Sequence, residues 1–483
     1  MAVRNFSTPA RRFNLEDVKI PDVSIQVGGR FEVIHKTVKN AVIVHWPDGA
    51  PCILVNQYLL EKGDTWSGET ARATATDLSH LIRYCFSYTK TFRELADGDV
   101  SRFVSLLASE KASGRREAKR NNNTIRKIVH QSLCFLEWYQ RSLCQGGRLI
   151  VGAADRDAAI TVVEKWNRHS KRMEWDHRYL PEPVSTDPKL PISWTTICNI
   201  DEAIERKGLV EVMSDRLMRS HRFDKKFVGT LLDYLYARRS FMTWLLRRTG
   251  LRPGEMMLLN ACSMERALQH QVLEIPTLKR RRKEPPLRLF FFTPHDTQFI
   301  RRYLMVRKVW LSSCQKRLGS ESLGIGSLFL STSPGRIGRP ISKSGLEKDF
   351  SALCVEAGLA GQQVCFSMYR HRFITEQVRR LMKEFGLGAG AVVSDPDYRA
   401  LLERVRAMTG HSNIDSLWHY IDLARKDDDI WSAVELSERL QSASDFHRSK
   451  VNDIARELRN GTRTPSELAD ELQELALAIG DFC

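Results

Sequence analysis

The stretch 181–192, which begins PEPVSTDPKLP, carries four prolines and can continue neither a helix nor a strand. It reads as a linker, and it divides a chain of 483 residues that is too long for one ordinary core. On its N-terminal side the texture changes once more. Residues 1–65 show apolar alternation in FEVIHKTV (31–38) and AVIVHW (41–46) ahead of the turn Pro47-Asp48-Gly49, which predicts a small β-rich extension built on a hairpin. Residues 66–180 are helical in pattern, with Ile125, Ile128, Val129, Leu133, Leu136 and Trp138 on one face of a long helix capped by Asn123 or Thr124.

Beyond the linker the pattern is mixed. An amphipathic helix is expected over about 226–248, with Leu231, Leu235, Phe241, Met242 and Leu245 at helical spacing and Gly250 as its stop. Two short strands, 272–276 and 287–292, flank the basic run KRRRK. Helical patterns then continue through 425, and a helical tail occupies 426–483 as a packing arm.

Charge narrows the functional classes. The 74 Lys and Arg against 58 Asp and Glu leave a formal +16, which suits a polyanionic partner, although many basic proteins bind none. The basic, asparagine-rich stretch 111–127 fits phosphate contact and a solvated loop equally well. No apolar run has the length of a membrane span, and the N-terminus lacks the apolar core of a secretory signal, so the expected location is cytoplasmic. Ten cysteines occur singly, without CxxC pairs or zinc spacing, which speaks against a disulfide framework or a metal site.

Four constellations carry chemistry. In TGLRPGEMMLL, one helix stops at Gly250 and another starts at Pro253, placing Arg252 at the corner with Glu255 in the first turn. A guanidinium on a rigid elbow suits two phosphate oxygens. The run Lys279 to Lys283 sits at the expected hairpin tip, where a lysine among like charges can serve as an acid. FSMYRHRFIT places Arg370 and His371 near a helix start, and MTGHSNIDSLWHYIDL sets Tyr420 nine residues after His411. Taken singly, each reads equally as a surface arginine, a solvated charge cluster or a core side chain.

In this order and spacing the four resemble the catalytic pattern of tyrosine recombinases, the family of phage integrases and Xer-type resolvases. The matches are Thr249, Gly250, Leu251, Arg252 and Glu255 to T-G-L-R-x-x-E; Arg370 and His371 to H-x-x-R-H; and Gly410, His411 and Tyr420 to G-H with its following tyrosine. Ser367 stands where that pattern has its first histidine, and His371 is not expected to replace it, because adjacent helix residues face different directions. The distance from Arg370 to His411 is long and includes an inserted loop at 383–398.

The resemblance implies a mainly α fold with a small β-sheet in the catalytic domain (α+β). A helical core-binding domain at 66–180 and an integrase-type catalytic domain at 193–425 would form a C-shaped clamp on double-stranded DNA. It further implies a site-specific recombinase that cuts and rejoins DNA, for integration or excision of a mobile element. Tyr420 would be the nucleophile, Arg252 and Arg370 the phosphate clamp, His411 a further donor, and Lys279, or else Lys283, the acid on the departing 5′ oxygen. No cofactor or metal is implied. It also implies a tetramer on DNA, open to accessory proteins, in a bacterial cytoplasm at the nucleoid. The tail would then dock on a neighbouring protomer, and the N-terminal extension would be either a second DNA-binding arm or a clamp on the core-binding domain. The alternatives are a DNA-binding regulator that kept the fold and lost the chemistry, a type IB topoisomerase, and a basic RNA-binding or scaffold protein.

Overall fold

A computed structural model describes residues 10–27, 30–63, 66, 68–111, 118–144, 146, 148–167, 172–185, 190–208, 218–219, 221, 224–278, 285–319, 323–386, 395–425, 451–459, 464, 466 and 469. The architecture is mainly helical with small sheets, as expected. The chain forms two compact units, 1–187 and 188–483.

In the first unit, strands β1 (Arg11–Val27) and β2 (Arg30–His45) pair antiparallel, with a register shift between Pro21 and Val23. Proline has no N–H for a ladder, so an irregularity there is the natural accommodation. The two alternating segments expected to face one another both lie on β2, and β1 is their partner. The reason is length. The link between 31–38 and 41–46 is Lys39-Asn40, without the glycine that favours a two-residue hairpin turn, and the strand runs through it. Val42 and Val44 of β2 enter one apolar core with Val55 and Leu59 of helix Ile53–Gly63 and with Leu78 and Ile82 of helix Gly68–Tyr88. Asn56 fixes the strand by accepting from the Val44 N–H at 2.7 Å and donating to the Val44 carbonyl at 3.1 Å.

Helices Asp97–Ser109 and Asn122–Leu143 complete that core, the latter capped by Asn121, two or three positions before the expected cap, whose side chain accepts from the Thr124 N–H. A further sheet follows, β3 (Leu149–Ala153), β4 (Ala158–Asn167) and β5 (Arg172–Asp176), where only helix was expected. Its β-branched segment ITVV packs Ile160 and Val162 inward.

The second unit is organised on helix Lys225–Thr249, whose Phe241, Leu245 and Leu246 are wholly buried. Strands β6 (Val272–Pro276) and β7 (Leu287–Phe291) form an antiparallel hairpin, matching the expected positions. Helices Pro294–Leu318, Lys343–Glu356, Phe366–Glu384 and Asp395–Thr409 follow. Helix Phe366–Glu384 spans two cores. Phe366 and Tyr369 lie in the larger one, while Phe373, Ile374 and Val378 lie in a smaller one that also holds Leu401, Leu417 and Tyr420.

Of the tail, the helix at 451–459 packs on its own unit. Arg456 lies over the Tyr236 ring at 3.2 Å, and Arg302 bonds Asp453 at 2.9 Å and Glu457 at 2.8 Å. Most other tail positions, like residues 279–284 with the basic run Lys279 to Lys283 and the segment 387–394, lie outside the described residues. No described helix is long and apolar enough to cross a membrane.

Candidate active site

Gly250 ends helix Lys225–Thr249 in the left-handed region (φ 58°, ψ 30°) and donates its N–H to the Leu246 carbonyl at 3.0 Å. A Cβ here would meet the Phe373 ring at 2.3 Å, so both backbone and packing demand glycine. The chain then turns through buried Leu251 into Arg252, the N-cap of the short helix Pro253–Met256.

Glu255 is fully buried and serves as the hub. It accepts from Arg252 Nη1 at 2.6 Å and the Arg252 N–H at 3.0 Å, from Arg288 Nη2 at 2.8 Å, and from the Leu278 N–H at 3.2 Å. Burial alone would raise its pKa, but Arg288 and Arg252 outweigh that and hold it below the usual carboxylate range.

Arg370, from the first turns of helix Phe366–Glu384, donates Nη1 to the Gly250 carbonyl and Nη2 to the Thr409 carbonyl, both at 2.7 Å. Arg288 reaches the same Thr409 carbonyl at 3.3 Å. The ends of two helices, 249–250 and 409–410, are thereby tied together by guanidinium forks. Burial, then Arg252 and Arg288, push Arg370 down to about 9.

Gly410 follows Thr409 with φ +68°, and a Cβ would lie 2.5 Å from Thr277 Cγ2. This tight turn delivers His411. Its Nε2 is 3.3 Å from Arg370 Nη2 and its Nδ1 is 2.6 Å from Thr409 Oγ1. Thr409 Oγ1 already donates to the Val405 carbonyl, so His411 Nδ1 carries the proton and Nε2 presents its lone pair to Arg370. Burial, then Arg370, Arg252 and Arg288, push the imidazole down to about 3, so it is neutral.

Tyr420, on the helix at 418–425, is 2% exposed. Burial lifts its pKa to about 12 against the opposing pull of Arg370 and Arg252. Its hydroxyl lies 2.5 Å from His371 Nδ1, with the rings 5.8 Å apart at 26°.

Arg252, Arg370, His411 and Tyr420 thus come together around one hub, while Lys279 and Lys283 lie outside the described residues. The described residues flanking that run are anchored beside the hub: Leu278 on Glu255, and Thr277 on the Pro286 carbonyl at 2.9 Å. Two side chains escaped the sequence reading. Arg288 had a local signal, a cation at an inward position of LRLFF, where the alternation calls for an apolar residue. His371 was set aside because it adjoins Arg370. The spacing that matters is with Ser367, one helical turn earlier on the same face. Ser367 itself lies 3.1 Å from Cys365 Sγ.

Comparison with known proteins places this geometry in context. The chain is similar to a solved XerH site-specific recombinase bound to its difH substrate, at 13% identity over 76% of this chain and 81% of that one, with a TM-score of 0.42. It is similar to a Tn1549 transposon integrase in complex with transposon right end DNA, at 12% identity over 79% and 99% of the two chains, with a TM-score of 0.43. It is also similar to a XerA recombinase, at 15% identity over 80% and 98%, with a TM-score of 0.30. All three are tyrosine recombinases. No protein-family model matches the chain, and no curated protein matches it.

Proposed function

We propose that this chain is a tyrosine recombinase that cleaves DNA by attack of Tyr420 on a backbone phosphate, leaving a 3′-phosphotyrosyl link. One observation carries this reading: a buried phenol faces a cluster in which Arg252 and Arg288 share the carboxylate of Glu255 while Arg370 beside them is held by carbonyl oxygens. Such a cluster is short of negative charge, and a phosphodiester supplies it.

In this mechanism Arg252 and Arg370 hold the non-bridging oxygens, where charge grows as the phenol attacks. An incoming phosphate also raises the His411 pKa, so that Nε2 takes up a proton and becomes a donor to the same oxygens. Lys279, with Lys283 as the alternative, protonates the departing 5′ oxygen. The phosphotyrosine conserves the bond for religation. Two duplexes require four cuts, which calls for a DNA-bound tetramer, and the reaction serves integration or excision of a mobile element.

The test is a duplex carrying the sequence that flanks the native gene, nicked near the crossover so that religation fails. A covalent adduct with wild-type protein that is absent in Tyr420→Phe supports the proposal. Specific binding without adduct would leave a DNA-binding protein of this fold.

A further inference from the structure

We infer that His371 is the catalytic base that removes the Tyr420 proton. The inference rests on the reading of Tyr420 as the nucleophile.

A phenol with a pKa near 12 is ionised to roughly one part in 10⁵ at neutral pH, so attack needs a proton acceptor in the transition state. The groups around the hydroxyl decide which one. Arg370 and Arg252 bear on it electrostatically, but a guanidinium can only donate. His411 has its Nδ1 on Thr409 and its Nε2 toward Arg370, and burial, then repulsion from three arginines, makes it a very weak base. His419 meets the phenol ring against ring, with centroids 3.9 Å apart. Ser367 offers a hydroxyl, which cannot hold a proton at neutral pH.

His371 Nδ1, at 2.5 Å from the hydroxyl, is within direct proton-transfer distance. To act as the base, Nδ1 accepts from the phenol O–H with the ring proton on Nε2, and the 2.5 Å contact is compatible with that tautomer. The imidazole is held on a helix whose next residues, Arg372, Phe373 and Ile374, are buried, and Thr375 Oγ1 donates to the His371 carbonyl at 3.0 Å. The base and the phenol therefore come from two elements packed in one core.

In the step itself the phenol O–H bond breaks and its proton passes to His371 Nδ1. The phenol oxygen bonds to phosphorus, and the bond from phosphorus to the 5′ oxygen breaks, its electron pair staying on that oxygen. The acid of the proposed mechanism protonates the 5′ oxygen. On religation the imidazolium returns its proton to the phenol.

The test compares His371→Ala and His371→Asn with wild type on the nicked duplex in single-turnover adduct formation, with DNA binding measured alongside. A second duplex carries sulfur in place of the bridging 5′ oxygen, so that the leaving group departs without a proton donor. Asparagine still accepts the phenol hydrogen bond but cannot take the proton. Both variants are expected to bind DNA as wild type does, yet to form adduct about 10²–10⁴-fold more slowly. Sulfur should not rescue them, although it should restore Lys279→Ala, and added imidazole should partly restore His371→Ala. Rates for His371→Asn within a few-fold of wild type, or recovery of either His371 variant on the sulfur duplex, would overturn the assignment. Adduct persisting in Tyr420→Phe would overturn the reading of the nucleophile instead, so the two failures are distinguishable.

Discussion

Two carboxylates of the second unit, the buried Glu255 and the half-buried Asp349, each hold two arginines, yet the clusters around them behave differently. Asp349 receives Arg239 through Nε at 3.1 Å and Nη2 at 2.6 Å, and Arg238 through Nη2 at 2.9 Å, while Arg238 Nη1 ends on the Leu330 carbonyl at 2.7 Å. Both forks finish on fixed protein oxygens, and the perturbed group is the carboxyl, which they bring down to about 2 against the opposing effect of burial. Glu255 receives Arg252 and Arg288 in the same manner, but there the cluster continues to Arg370, held by carbonyl oxygens, and to His411. The groups driven furthest from their ordinary values are now the cations and the imidazole. Guanidinium groups that serve the fold show their strength in the carboxylate they hold. Around Glu255, burial and then the repulsion among the guanidinium groups show in the cations and the imidazole themselves.

Replacing one arginine in each cluster is the sharpest way to break this contrast. Arg370→Ala is expected to slow adduct formation by about 10²–10³-fold, the cost of losing one preorganised donor to a developing oxyanion. Arg238→Ala removes a side chain that is 2% exposed and should destabilise the second unit by about 3 kcal/mol, read as a lower urea midpoint, with cleavage per folded molecule unchanged. If both variants lost stability alike and neither lost rate selectively, the Glu255 cluster would be structural too.

A smaller effect separates two helix ends. Gly250 and Gly319 both terminate 25-residue helices at positive φ. Gly319→Ala meets nothing within 4 Å and should cost the backbone strain alone, roughly 1–3 kcal/mol for a φ of 77° and ψ of 178° that is almost reserved for glycine. Gly250→Ala carries left-handed strain of roughly 1–2 kcal/mol plus the collision with Phe373, a further ~1–3 kcal/mol, and it displaces the carbonyl that holds Arg370. Adding Phe373→Leu should recover part of the stability in thermal melts. Full recovery of cleavage by that double variant would show that the collision, and not the position of the Gly250 carbonyl, governs the site.

What could be read from the sequence follows from how far apart the contacting residues lie. Helix Lys225–Thr249 and the β6–β7 hairpin are visible in local periodicity, and the order of Arg252, Arg370, His411 and Tyr420 is visible as a motif pattern. The β1 partner of β2 was hidden because Pro21 and the charged residues of β1 interrupt its alternation. The three-stranded sheet at 149–176 was hidden by short strands beside a long helical pattern. Within the site, Glu255 and Arg252 are three residues apart and read as a pair. His371 and Tyr420 are 49 apart and Arg288 and Glu255 are 33 apart, contacts that only the fold creates.

The mildest test acts on the Asp349 side of the comparison alone. Its carboxyl titrates near 2 in the folded protein against about 3.9 in an unfolded chain, so the arginine contacts add stability that is fully present above pH 4 and lost as pH falls toward 2. The contribution is roughly 2.5 kcal/mol, since each unit of pKa is about 1.4 kcal/mol. Wild type should therefore exceed Asp349→Asn in thermal stability by the full margin at pH 7, and the margin should narrow steadily between pH 4 and pH 2.5, where the wild-type carboxyl begins to take up the proton that makes it resemble the asparagine. A margin that stayed constant down to pH 2.5 would mean that asparagine disturbs the packing around Arg238 and Arg239 rather than removing a charge. The fold-serving cluster would then owe its strength to shape, and the contrast with the Glu255 cluster would rest on the arginine and histidine shifts alone.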